Sequence, residues 1–138
     1  MGTRFMATQE CAIHPKVKEW LVKSSERDTM LVMRSLRNTE RVLRNATAEK
    51  VVEMEKRNAT LEELASLLSG KKGLEVYETG ALDRGLVGCG QVIGLVHDIP
   101  TVKELLDRII KEAEEVVSKI AARSVFKPLR KPTDVAKQ

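Results

Sequence analysis

Apolar residues return at three- and four-residue intervals through most of this chain, the spacing of a helix face turned toward a core. The last long run is the clearest. Val102, Leu105, Leu106, Ile109, Ile110, Ala113, Val116, Val117 and Ile120 mark one side, while Lys103, Asp107, Arg108, Lys111, Glu112, Glu114 and Glu115 mark the other. Thr101 and Glu104 stand before it as a capping box, so the spacing predicts a helix over residues 101–123 that must bury its stripe against something large. Thr60 and Glu63 form another capping box, ahead of an apolar stripe at Leu61, Leu64, Ala65 and Leu68. Gly70 reads as the left-handed residue that ends this helix. A further short helix over residues 74–79 ends at Gly80, and Val17, Trp20 and Leu21 give one that opens at Pro15 and runs to about Ser24.

Other stretches are less regular. The apolar run over residues 29–33 fits a strand and a buried helix equally well. Asn38 reads as an N-cap, with Val42, Leu43 and Ala46 along one side, and Thr47 as the cap of a segment carrying Val51, Val52 and Met54. Arg37, Arg41 and Arg44 then form a basic stripe, whose ordinary meaning is a solvated helix face. Gly85, Gly88, Gly90 and Gly94 interrupt the periodicity, and close backbone approach to a helix or a ligand is the physical reason to tolerate them. Residues 1–8 read as a short buried strand end followed by a Gly2-Thr3 turn. In α/β proteins a strand end, a glycine turn and a helix form a place where phosphate groups are held.

Composition narrows the classes. With 138 residues the chain supports a modest core but not a complete (β/α)8 barrel, which needs roughly 250. Hydrophobic content of 42% and charged content of 32% suit a helix-rich globular protein. No apolar run approaches the ~20 residues of a membrane span. No basic, then apolar, leader opens the chain, so a cytoplasmic setting is the default expectation. The net charge of +4 is uneven: Lys127, Arg130, Lys131 and Lys137 against Asp134 place +3 of it in the last twelve residues. The domain reading is therefore a helical portion over residues 1–126 and a basic, disordered tail over residues 127–138. Phe5, Trp20, Tyr77 and Phe126 are too few and too scattered for a base-stacking platform, and nucleic acid is not an expected partner.

Candidate chemistry is sparse. Cys11 and His14 have a ligand-like spacing, and Cys89 and His97 complete two Cys and two His, but no paired CxxC supports zinc. Residues 88–94 miss the dinucleotide fingerprint because the third glycine falls one residue late. His97-Asp98 reads as a loop before a helix, and Glu114-Glu115 as solvated. The residues thus describe a mostly helical domain with no catalytic residue and no metal site assigned.

Several motifs in order carry a family resemblance. Met1-Gly2-Thr3-Arg4-Phe5-Met6-Ala7-Thr8-Gln9-Glu10, with Ala12-Ile13-His14, resembles the last barrel strand and following loop of the nitronate monooxygenases, formerly 2-nitropropane dioxygenases. Glu26-Arg27-Asp28-Thr29 and Leu36-Arg37-Asn38-Thr39-Glu40-Arg41-Val42 resemble the next segment. Gly90-Gln91-Val92-Ile93-Gly94-Leu95-Val96 and Asp98-Ile99-Pro100-Thr101-Val102 resemble the C-terminal signature. FMN-dependent enoyl reductases are similar in the same places.

The resemblance covers residues 1–122. It implies a mainly α-helical chain that is the C-terminal fragment of a flavin-dependent (β/α)8 barrel protein: last strand, helical small domain and terminal helix. Gly2 and Thr3 would hold the FMN phosphate, and Gly90, Gln91 and Val92 would lie near flavin and substrate. Neither His14 nor His97 matches the family's histidine, so no catalytic residue carries over. The parent protein would oxidise alkyl nitronates with oxygen. The chain alone would be inactive and would not hold FMN tightly. It would form homo-oligomers through exposed apolar helix faces. From a different class, a free-standing helical interaction module fits the same stripe.

Overall fold

The computed structural model describes residues 1–122; the helix end expected at residue 123 and the tail expected over residues 127–138 lie outside them. The chain divides into two units, Met1–Val102 and Lys103 onward. In order, the elements are α1 (Gly2–Met6), α2 (Pro15–Lys23), β1 (Thr29–Val32), β2 (Glu40–Leu43), α3 (Ala46–Lys56), α4 (Leu61–Leu68), α5 (Gly70–Thr79) and α6 (Val102–Ala122). Two 3-10 turns, Glu26–Asp28 and Gln91–Leu95, complete the set.

Locally coded elements fold as their residues require. His14 caps α2, its Nδ1 accepting from the Lys16 N–H at 3.1 Å, with Pro15 opening the first turn. The Thr60–Glu63 capping box forms reciprocally ahead of α4. Gly80 ends α5 in the left-handed region at φ 71°, with the His14 ring packed where a Cβ would stand.

Five expectations are corrected. Residues 1–8 do not form a strand end; Gly2–Met6 is helical. One helical turn puts Thr3 and Ala7 on the same buried side, and so short an apolar run does not distinguish this from a strand. Asn38 caps no helix, because residues 40–43 are β2, antiparallel to β1 with Thr29 opposite Leu43 and Val32 opposite Glu40. Val42 and Leu43 are both fully buried because they leave β2 on opposite faces into two separate cores.

The true cap of α3 is Asn45, which accepts from the Ala48 N–H at 2.8 Å, while Thr47 lies in the first turn and donates to the Asp83 carbonyl at 2.6 Å. The basic stripe dissolves with the helix that would carry it. Arg37 sits in the β1–β2 turn at φ 54°, Arg41 lies in β2 and donates to Thr29 Oγ1 at 2.8 Å, and Arg44 follows the strand. Gly70 is not left-handed; it opens α5 directly after Ser69.

The first unit holds two cores. One gathers Ala7, Val17, Leu21, Leu43, Val76, Val87, Cys89, Ile93 and Val96. The other gathers Val32, Val42, Ala48, Val51 and Leu64. Residues 87–89 run alongside β2, with Leu43 N–H donating to Val87 O at 2.8 Å and Cys89 N–H to Arg41 O at 3.0 Å. Gly85 permits the approach to α5 that its sequence context suggested: a Cβ there would stand 2.6 Å from the Lys72 carbonyl. In the second unit, α6 carries the predicted stripe, but Leu106, Ile110, Val116, Val117 and Ile120 are exposed.

Candidate functional site

The N-terminal segment and the glycine-rich segment meet. Gly2 opens α1, exposed, with no atom within 4 Å of where a Cβ would stand. Thr3 is buried beside it, and its Oγ1 accepts the Gly90 N–H at 2.9 Å. This hydroxyl is fixed as an acceptor by Gly90 and keeps its own proton to donate. The N–H groups of Gly2 and Thr3 belong to the first turn of α1, where no preceding carbonyl of the helix can reach them.

Gly90 leads into the 3-10 turn Gln91–Leu95. Ile93 anchors that turn in the core, while Gln91 and Val92 stay exposed, Val92 by 41%. The five residues singled out from sequence therefore lie on two adjoining segments. Gly2 leaves its surroundings open, Gly90 is half-buried against Thr3 and Val92, and Gln91 and Val92 face outward.

Neighbouring contacts reinforce the junction. Arg4 Nη1 donates to the Asp98 carbonyl at 2.9 Å, and Nη2 pairs with Asp98 Oδ1 at 2.6 Å. Gln9 N–H donates to Pro100 O at 3.0 Å. The Glu10 carboxylate accepts the Val102 N–H at 2.9 and 3.0 Å, placing an anion at the start of α6. The buried Lys18 reaches Gln9 O at 3.0 Å. Sequence periodicity singled out neither Arg4 and Asp98 as a pair nor Glu10 as a cap; partners some ninety residues apart leave no mark in local spacing.

The remaining candidates lie elsewhere. His14 is occupied as the α2 cap, and His97 is exposed. Among the described residues no group of His, Cys, Asp and Glu is arranged to hold a metal ion. Burial pushes the Cys89 thiol up to about 11, so it stays protonated near neutral pH and is a poor nucleophile. A hollow of about 410 Å³ beside Cys11, Ile13, Leu74 and Tyr77 involves none of the five residues. Nor does one of about 310 Å³ beside Leu31, Arg34 and Glu55. Among the described residues no helix is long and apolar enough to cross a membrane.

A model of the nitronate monooxygenase family matches residues 1–112. The chain belongs to that family. The match contains both halves of the junction, from Gly2 and Thr3 to Gly90–Asp98, and it bears out the resemblance carried by the motifs. Among solved structures, FabK from Thermotoga maritima is similar, with a TM-score of 0.76 and 37% identity over 89% of this chain. A single-residue mutant of that FabK gives a TM-score of 0.71 and 33% identity, again over 89% of the chain. The chain spans only 39% and 35% of the lengths of these two structures.

Proposed function

We propose that this family member works as the C-terminal part of an FMN-dependent oxidoreductase that oxidises alkyl nitronates with oxygen. The observation that carries the reading is the hydrogen bond from Gly90 N–H to Thr3 Oγ1, which joins the two segments assigned to the cofactor across 87 residues of sequence. The donor set fits a phosphate. The N–H groups of Gly2 and Thr3 have no helix carbonyl to meet, no Cβ blocks the approach at Gly2, and the Thr3 hydroxyl has a proton to give. Gly90, Gln91 and Val92 would then line the flavin and substrate side.

Bound FMN would supply the redox chemistry, accepting electrons from the nitronate and returning them to oxygen. On this reading the described residues would provide one side of such a cavity, in keeping with a chain about two-fifths as long as the FabK structure. We expect the 138-residue chain alone to be inactive and to hold FMN weakly. An FMN-dependent enoyl reductase is the second reading, favoured by motifs that resemble those enzymes at the same residues.

The test uses the longer parent protein that this proposal implies, not the 138-residue chain alone. Release of FMN on denaturation, together with oxygen uptake driven by an alkyl nitronate, supports the first reading. Flavin reduction by a nicotinamide nucleotide followed by reoxidation with an enoyl thioester, without nitronate turnover, supports the second. Protein purified free of flavin that also fails to take up FMN would overturn both.

A further inference from the structure

The segment from Gly90 to Asp98 is pinned at both ends to adjacent residues of α1. At its start, Gly90 N–H meets Thr3 Oγ1 at 2.9 Å. At its end, Asp98 is gripped twice by Arg4, through its carbonyl at 2.9 Å and its carboxylate at 2.6 Å. The Arg4 side chain is 13% exposed and that of Asp98 is 44% exposed, so the guanidinium is the more enclosed partner.

A five-residue helix has little stability of its own. Its placement against the 90–98 segment therefore depends on contacts of this kind. A planar guanidinium held at two nitrogens also fixes orientation as well as distance, which a lysine would not do.

We propose that Arg4 and Asp98 are positioning residues, whose ion pair holds Gly2–Thr3 in register with Gly90–Val92 so that both segments meet one FMN. The inference rests on the FMN reading above. Arg4 does not serve as a phosphate ligand, because its charge is committed to Asp98. The two possibilities predict opposite behaviour for Asp98. A phosphate-binding Arg4 would be freed by removing Asp98, and FMN would bind more tightly. A positioning pair loses the same function whichever partner is removed.

The experiment measures dissociation constants of FMN and of riboflavin, which lacks the phosphate, on the deflavinated parent protein. Variants are Arg4→Gln, Asp98→Asn and the double variant, with thermal unfolding recorded for each. Arg4→Lys and Asp98→Glu serve if the neutral variants fail to fold. The expected result is FMN binding weakened by about tenfold or more in either single variant, a small part of its total affinity. The double variant should be no weaker than the worse single one, because both remove one interaction. Riboflavin binding should weaken much less, because buried Ile93 keeps the Gly90–Val92 segment in place while α1, which would meet the phosphate, is the part released.

Tighter FMN binding in Asp98→Asn overturns the proposal, as does loss confined to Arg4→Gln. Equal weakening of FMN and riboflavin also overturns it, since that marks general loosening of the fold. Unchanged FMN binding in all variants overturns the positioning role while leaving the FMN reading intact. Failure of the unaltered protein to prefer FMN over riboflavin removes that reading and this inference with it.

Discussion

Thr3 couples stability to the candidate site through one oxygen. Thr3→Val keeps the shape and removes the acceptor for Gly90 N–H. A half-buried donor left without a partner costs about 1 kcal/mol, and denaturant unfolding is expected to show a loss of that order, largely restored in Thr3→Ser. Cys89 gives a pH signature. Burial raises its thiol from about 9 to about 11, so between those values the unfolded chain releases a proton that the folded chain retains. The unfolded state then binds fewer protons, and stability falls as pH rises through this window, whereas the contribution is fully present below pH 9. Cys89→Ala is expected to lessen that fall in urea titrations from pH 8 to pH 11. Neither role is visible in spacing: Thr3 stands out in sequence only as the neighbour of Gly2, and Cys89 only as one of two cysteines.

Helix caps carry different loads according to what else they bind. Thr60 serves its own helix at an exposed position, so Thr60→Ala is expected to cost about 1 kcal/mol. Asn45 caps α3 and also donates through Nδ2 to the carbonyls of Leu82 and Gly85 at 2.7 and 2.8 Å. Asn45→Ala therefore strands buried carbonyls as well as a helix end, and its cost in chemical denaturation is expected to exceed that of Thr60→Ala by about 1–3 kcal/mol. Asn45→Asp, which keeps the cap and loses both donors, separates the two contributions. The Thr60 box is legible from four consecutive residues. Asn45 is passed over because Val42, Leu43 and Ala46 imitate a helix face, although the first two belong to a strand buried on both sides.

Across the described chain the largest unmet demand is the apolar face of α6. Leu106, Ile110, Val116, Val117 and Ile120 are each exposed, and apolar surface of this kind drives association when nothing else covers it. The 138-residue chain is expected to self-associate in multi-angle light scattering. Ile110→Glu with Val117→Glu is expected to shift it toward monomer without unfolding Met1–Val102. A monomer at all concentrations, with the stripe intact, would show that the face is already covered. The sequence makes the stripe plain through its regular spacing over about five turns. What covers it is not coded in that spacing.

Order within a few residues was legible because its causes are equally local. Pro15 with His14, Thr60 with Glu63 and the left-handed Gly80 act on their own turns, so residue identity and spacing determined those boundaries. The family resemblance was likewise legible because its motifs occur in order along the chain. Long-range pairing decided the rest. Hydrogen bonding across β1 and β2 made residues 40–43 a strand despite their helical rhythm, and burial of Thr3 and Ala7 on one side suits a helical turn rather than a strand end. The Thr3–Gly90 and Arg4–Asp98 contacts exist only once the chain has folded back over some ninety residues, a closure that no periodicity records.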